Sequence, residues 1–274
     1  MRARTTDRAL CWLLALALAG LAAGCATVPV TGRQQLTIVP TGELVAMGEQ
    51  SYEQLLAESD VVTSGPEAGR VERVGWRIAE STERFLRERE MTAELEQYEW
   101  RFNLIRDDAA NAFCMPGGRI GVFTGMLEIA ETDDQLAVVL AHEVAHAVAN
   151  HSNERMSQML VAELGGRALS EALNEEPART QELAMAAYGL GAQFGVLLPY
   201  SRRHESEADR IGLILMAQAG YDPRAALGFW REMAGQSGPQ PPEFLSTHPH
   251  PDTRIEELKD HMPEALDIYQ KESR

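Results

Sequence analysis

The sequence predicts a mainly α-helical protein with a small β-sheet or hairpin, an α+β fold. Apolar residues recur at helical spacing through most of the chain after Thr132. Before that point, residues 98–105 alternate apolar and polar side chains, which is typical of a strand. Residues 113–126 place short β-type runs on both sides of Pro116-Gly117-Gly118, which predicts a turn between two strands.

The N-terminus has the composition of a secretory signal. Arg2, Arg4 and Arg8 precede the apolar run 9–23, which is too short to span a bilayer comfortably. The run ends in Leu-Ala-Ala-Gly-Cys, which resembles a bacterial lipobox and predicts cleavage before Cys25 and acylation of that cysteine. A plain signal peptide with an incidental cysteine is the alternative. Ala26 after the cysteine favours sorting to the outer membrane in a Gram-negative host.

The remaining elements follow from helix starts and breakers. Pro29, Gly32 and Pro40 predict an arm with little regular structure at 25–42, before a helical domain at 43–274. Thr132 with Gln135 forms a capping box, and Asp222-Pro223 opens a later helix. The expected helices cover 43–59, 66–96, 132–150, 155–173, 181–197, 201–219 and 222–234. A Pro-rich loop at 238–242 and a short terminal helix from Pro251 complete the chain.

Charge excludes one broad class of function. The 274 residues include 41 Asp and Glu against 25 Lys and Arg, a formal net charge of −16. Nucleic-acid binding needs a basic surface against the phosphates, so we expect no nucleic-acid partner. The three cysteines cannot form a disulfide framework, and Cys114 is predicted to be a small apolar residue.

The sequence His142-Glu143-Val144-Ala145-His146 has the form H-E-x-x-H within the helix that starts at Thr132. Residues four apart lie on the same helix face, so both imidazoles can bind one zinc ion. Glu143 lies one position round the helix, where its carboxylate can take a proton from a water molecule at the metal. Two surface histidines on an ordinary helix are the alternative interpretation.

A catalytic zinc ion needs a third protein ligand, and residues 201–210 offer several carboxylates. Glu205 and Asp209 are again four apart, so one can bind zinc while the other accepts a hydrogen bond from a ligand histidine. Spacing alone does not separate Glu205 from Glu207 as the ligand. A solvated charged helix face is the alternative.

Together, His-Glu-Val-Ala-His, Ser-Arg-x-x-Glu-x-x-Ala-Asp and a later Thr-His-Pro resemble the forty-eighth metallopeptidase family of zinc metallopeptidases. This family includes the HtpX and CaaX prenyl proteases and the BepA-like periplasmic enzymes. The resemblance implies a gluzincin-type domain with one zinc ion, Glu205 as third ligand and Asp209 as the acid behind the ligands. The chain lacks the transmembrane helices of the membrane-embedded members, so it resembles the lipid-anchored branch.

The resemblance also implies how substrate and zinc are handled. A strand at 119–125 is expected to be an edge strand that pairs with an extended substrate, and a purely structural hairpin is the alternative. Residues expected to bind substrate are Asn111, Gly117, Gly118 and Ile120. His248 is expected near the metal, either blocking the open position or stabilising the oxyanion, and Arg254 near the catalytic centre.

The resulting hypothesis is a zinc endopeptidase on the periplasmic side of the cell envelope that acts on unfolded or misassembled proteins. The main alternative is a chaperone-like envelope assembly factor whose zinc site is held latent by His248.

Overall fold

The computed structural model of the protein describes residues 25–193, 197–235, 243–248 and 251–272. The predicted signal at 1–24 and the loop at 238–242 lie outside the described residues. These described residues form two compact units, one within 25–41 and 152–197 and the other within 42–151 and 198–272. The predicted mainly helical fold with small sheets is confirmed.

The second unit contains a four-stranded sheet. Its strands are β3 (Val61–Val62), β4 (Arg101–Ile105), β5 (Ala112–Met115) and β6 (Arg119–Phe123), in the order β3-β4-β6-β5. β5 and β6 form an antiparallel hairpin whose turn contains Gly117 and Gly118, with φ of 91° and 83°. These left-handed conformations favour glycine, because a Cβ atom would clash with the backbone there. β4 pairs parallel to β6, so β6 is an interior strand and β5 lies at the sheet edge.

The helices of this unit include one that is almost entirely buried. They are α1 (Thr41–Glu58), α2 (Pro66–Glu88), α3 (Thr92–Leu95), α4 (Thr124–Ile129), α5 (Asp133–Val148), α8 (Leu198–Gln218), α9 (Ala225–Gly235), α10 (Glu243–Thr247) and α11 (Pro251–Glu272). α5 packs against α2, α8, α9 and β5. Its side chains Leu136, Val139, Leu140 and Val144 are completely buried, so the hydrophobic effect holds it rigidly at the centre of the unit.

The first unit combines the N-terminal arm with two helices, α6 (His151–Ala172) and α7 (Ala178–Ala192). The arm has more regular structure than the sequence indicates, because β1 (Cys25–Thr27) and β2 (Gln34–Leu36) pair antiparallel. Arg33 forms a double hydrogen bond to the Glu154 carboxylate, with both N–O distances 2.7 Å. The Ser157 hydroxyl accepts a hydrogen bond from the Ile38 amide. The arm is therefore fastened to α6.

Two element predictions need correction. The predicted helix 66–96 is divided into α2 and α3, because Glu90 takes a left-handed conformation with φ of 58°. The terminal helix α11 is long rather than short, and it continues through Pro263. Among the residues that the structure describes, none of the helices has both the length and the apolar character that crossing a membrane requires.

Candidate metal centre

α5 presents the two histidines of the H-E-x-x-H sequence on one face. The helix starts with the predicted capping box, in which the Thr132 hydroxyl accepts from the Gln135 amide and the Gln135 side chain accepts from the Thr132 amide. Because His142 and His146 are four residues apart, their rings meet, and their Nε2 atoms lie 3.0 Å apart.

α8 adds Glu205 to these histidines. Its carboxylate oxygens lie 3.3 Å from Nε2 of His142 and 3.5 Å from Nε2 of His146. Ligand atoms around a tetrahedral zinc ion are about 3.3 Å apart, given metal–ligand bonds of about 2.0–2.2 Å. Oε1 of Glu205 is buried and makes no hydrogen bond within the described part of the chain. The two imidazoles and the carboxylate therefore fit one zinc ion.

Asp209 and Arg254 lie directly behind the histidines. Oδ1 of Asp209 is 3.1 Å from Nδ1 of His142, so the carboxylate accepts the ring proton and leaves Nε2 free to bind metal. Nε of Arg254 donates to Asp209 at 2.7 Å, and Nη1 lies 3.1 Å from Glu205. The guanidinium also stacks over the Trp230 ring at 3.5 Å, which fixes its orientation.

Glu143 and His248 lie on the remaining side of the ligand cluster. Nδ1 of His248 is 2.9 Å from Glu205 and 3.2 Å from Nε2 of His142, within the set of atoms able to hold a metal ion. Nε2 of His248 is 3.4 Å from Oε1 of Glu143. His248 therefore lies where a fourth ligand or a substrate group would be placed.

The segment that carries His248 is held by its backbone and by aromatic packing. The Phe244 amide donates to the Ala110 carbonyl, and the His248 amide donates to the Phe244 carbonyl. The Phe244 ring stacks between Trp230 and His248, with centroid distances of 5.8 and 4.4 Å. These contacts place the imidazole at the site rather than in solvent.

The electrostatics of the protein groups favour a cation at this position. Burial raises the pKa of Glu205, but the three histidines around it outweigh burial and hold that pKa well below its usual value. Burial and Arg254 lower the pKa of His142, yet hydrogen bonds to Asp209 and Glu205 raise it to about 9. Burial raises the pKa of Glu143, which makes its carboxylate a better proton acceptor.

The structure corrects the predicted substrate strand. β6 is paired on both sides, so the prediction of an edge strand at 119–125 is wrong; β5 has that position. Ile120 is 0% exposed, and the Gly117 and Gly118 carbonyls accept from the amides of Glu99 and Arg101. These three residues are therefore unavailable to a substrate backbone. Sequence pattern alone missed the parallel pairing with β4, because strand order depends on contacts distant in the chain.

The fourth residue predicted to bind substrate contacts α10, the short helix that precedes His248. Asn111 is partly exposed, immediately precedes β5, and donates from its side chain to Glu243 at 3.1 Å. Cys25 begins β1, at the start of the described residues. Cys114, on β5, is partly exposed, and burial of its thiol raises the pKa above the usual value, as expected of an unreactive cysteine.

Sequence reasoning missed a second group of polar residues behind His146. His151 is only 4% exposed and contacts both His146 and Glu207. His204 stacks against its ring. The sequence offered one signal for this group, because His151 lies five residues after His146 and just past the helix end. The direction of the His151 side chain, however, depends on the left-handed conformation of Asn150.

Comparison with known proteins identifies a peptidase family and metalloendopeptidase relatives. The sequence model of Peptidase family M48 matches residues 72–262, which include all the residues of the metal centre. The chain is 35% identical over 251 residues to Mitochondrial metalloendopeptidase OMA1 of Schizosaccharomyces pombe, covering 87% of this chain and 66% of that protein.

Two further relatives are more distant. Metalloendopeptidase OMA1, mitochondrial, of Homo sapiens is 31% identical over 261 residues, covering 88% of this chain and 46% of that protein. Beta-barrel assembly-enhancing protease of Yersinia pestis is 31% identical over 172 residues, covering 58% and 34%. The chain thus spans only part of the length of each of these three relatives, 34% to 66%.

Proposed function

Because the chain belongs to peptidase family M48, a family of metallopeptidases, we propose that it hydrolyses internal peptide bonds with one zinc ion held by His142, His146 and Glu205. The observation that supports this most strongly is the cluster of ligand atoms at tetrahedral spacing, in which His142 and Glu205 are buried and the Glu143 carboxyl lies close by. A zinc ion bound there would supply Lewis-acid chemistry, polarising the peptide carbonyl and making a water molecule more acidic.

Protein residues transfer the proton and orient the metal ligands. Glu143 takes the proton from the attacking water and passes it to the leaving amine, which burial favours by raising the pKa of its carboxyl. Asp209 orients the His142 ring through Nδ1, and Arg254 orients Asp209 in turn. The buried position of Glu143, which is 4% exposed, excludes bulk water and strengthens these interactions.

We assign substrate binding to the edge of β5. Within the described residues β5 pairs only with β6, and it packs against the metal-binding helix α5. An extended peptide can add to such an edge through backbone hydrogen bonds, which selects unfolded segments because folded proteins offer few free strands. Unfolded and misassembled proteins of the cell envelope are therefore the proposed substrates.

The lipobox-like sequence before Cys25 supports an anchored position in a bacterial envelope, with the peptidase unit facing the periplasm. Several acyl chains hold a protein on a membrane more stably than one chain. A Cys25→Ser variant should therefore leave the membrane fraction. Firm membrane association of that variant would reject the lipid anchor without affecting the peptidase proposal.

Proteolysis by purified protein tests the main proposal. Glu143→Gln keeps the size and the metal ligands but removes the base, so zinc should stay bound while casein cleavage falls by on the order of 10² to 10⁴. The matched control is Glu128→Gln, which makes the same change at an exposed position on α4 and should cleave normally. Equal activity in both variants would reject the mechanism.

A chaperone-like assembly factor is the second candidate, because His248 lies among the ligand atoms and would hold the zinc site latent. If this candidate is correct, the wild type and Glu143→Gln should suppress the aggregation of an unfolded protein equally well. If the peptidase proposal is correct, the wild type should produce proteolytic fragments and Glu143→Gln should produce far fewer.

A further inference from the structure

His151 lies between a predicted metal ligand and a buried carboxylate. Its Nδ1 is 2.8 Å from Nδ1 of His146, and its Nε2 is 3.1 Å from Oε2 of Glu207. His151 and Glu207 are 4% and 7% exposed. All three residues belong to the second unit, because the boundary between the units falls directly after His151, the first residue of α6.

The local backbone explains this placement. α5 ends at Val148, and Asn150 adopts a left-handed conformation with φ of 57° that reverses the chain. α6 then begins at His151, so its imidazole points back toward α5. His204 stacks on the His151 ring, with centroids 4.1 Å apart and planes 14° apart, and this contact holds the ring plane.

The hydrogen bonds assign one tautomer to each ring. Nε2 of His146 faces His142 and Glu205, so a neutral His146 that binds metal there has its proton on Nδ1. That proton is donated to Nδ1 of His151, which must therefore accept. The proton of His151 is then on Nε2 and is donated to the Glu207 carboxylate.

We propose that His151 and Glu207 form a positioning relay that fixes the tautomer and orientation of His146 for zinc binding. His142 reaches its carboxylate, Asp209, directly, whereas His146 reaches its carboxylate through a second histidine. Each ligand histidine thus has an anionic partner that makes it a stronger ligand. The relay also gives a role to the buried Glu207, which is not among the ligand atoms.

The relay rests on the proposed zinc site, and its test measures metal affinity rather than proteolysis. Zinc dissociation constants are obtained by chelator competition on the purified full chain. His151→Phe keeps a ring against His204 but removes the acceptor, so zinc should bind about 10- to 100-fold more weakly. His151→Asn restores an acceptor oxygen near the position of Nδ1 and should recover part of the loss.

The second half of the relay has its own pair of variants. Glu207→Ala should weaken zinc binding, and Glu207→Gln should weaken it less, because the amide oxygen still accepts from His151. Since both residues act through one path, His151→Phe combined with Glu207→Ala should lose no more affinity than the worse single variant. The matched control is Gln218→Ala, which removes another buried polar side chain from α8, far from the site, and should bind zinc normally.

The outcomes separate this inference from the peptidase proposal. Normal zinc affinity in His151→Phe and Glu207→Ala, or losses that simply add in the double variant, would overturn the relay alone. Equal loss in His151→Phe and His151→Asn, with unfolding detected by circular dichroism in both, would also overturn it in favour of a packing role. A wild-type protein that binds no zinc would overturn the zinc site itself and the relay with it.

Discussion

Gly212 of α8 packs directly against the backbone of His142 on α5. A Cβ atom at residue 212 would lie 3.2 Å from both the Cα and the amide nitrogen of His142. Such a contact is tighter than ordinary van der Waals packing, and backbone atoms in a buried helix cannot move aside as a flexible side chain can. The absence of a side chain at Gly212 therefore sets how closely the helix carrying Glu205 approaches the helix carrying the histidines.

Gly212→Ala should force the two helices apart. We expect a loss of about 1–3 kcal/mol in the free energy of unfolding, as for overpacked cores, together with weaker zinc binding. Gly228→Ala on α9 is the control, because nothing lies within 4 Å of its Cβ position. Alanine favours helices over glycine, so Gly228→Ala should be neutral or stabilising by up to about 1 kcal/mol. Urea denaturation of both variants checks this, and equal effects would contradict it.

Glu205 and Asp209 should differ in their effect on zinc. Glu205→Ala removes a metal bond and leaves two protein ligands, so purified protein should contain little zinc. Asp209→Ala leaves all three ligands but removes the carboxylate that contacts His142 and Arg254, so zinc affinity should fall about 10- to 100-fold. Metal analysis after dialysis measures both. Full zinc content in Glu205→Ala would show that the third ligand is another residue.

His248→Ala should raise basal proteolysis while zinc stays bound. The Nδ1 atom lies within contact distance of Glu205 and His142, so the side chain occupies the position that water and substrate require. Casein cleavage by the variant and the wild type gives the comparison. A rate lower by roughly 10² would instead assign His248 to oxyanion stabilisation. An unchanged rate of casein cleavage would mean that His248 has only a structural role.

Asp133 should make stability depend on pH. Burial raises its pKa, but hydrogen bonds from Arg73 and Arg70 outweigh burial and hold that pKa below the usual value. A depressed pKa means that the stabilisation is present above the unfolded value of about 3.9 and is lost as pH falls through the folded value. The Tm of Asp133→Asn should therefore be about 1–3 °C below that of the wild type at pH 7. The expected difference is small because Asp133 and Arg73 are half-exposed and solvent screens their interaction.

The same difference should disappear when the Tm is measured below the folded pKa of Asp133, where the wild-type carboxyl is also neutral. Arg73→Gln should reproduce part of the loss at pH 7. A constant difference between wild type and Asp133→Asn at every pH would mean that the change acts through packing and not through charge.

Local sequence signals predicted the elements that carry the metal centre. The capping box at Thr132 sets the start of α5, and four-residue spacing places His142 and His146 on one face. The same spacing offered Glu205 and Asp209 on α8, although Glu205 was separated from Glu207 only through the family resemblance. These signals are local because they depend on helix geometry, which is repeated in every turn.

The errors fall where contacts are distant in the chain. β4 pairs parallel to β6, so the sheet edge is at β5 and not at β6. The alternation of side chains within a strand does not show which strand pairs with it. The burial of His151 depends on helix α8, whose Glu207 is 56 residues away. The terminal helix from Pro251 was predicted to be short, but α11 packs on α8 and α9 and continues through Pro263, a residue that usually interrupts a helix.

The metal centre is completed late in the order of synthesis. Arg254 closes the ion pair with Asp209 across 45 residues, and His248 reaches Glu205 across 43. A ribosome makes the chain from its amino end, and contacts across such separations form only after the later residue has emerged. A nascent chain shorter than about Arg254 therefore lacks the group that orients Asp209 behind His142. Incomplete chains therefore cannot form the full set of contacts around the zinc-binding residues proposed above.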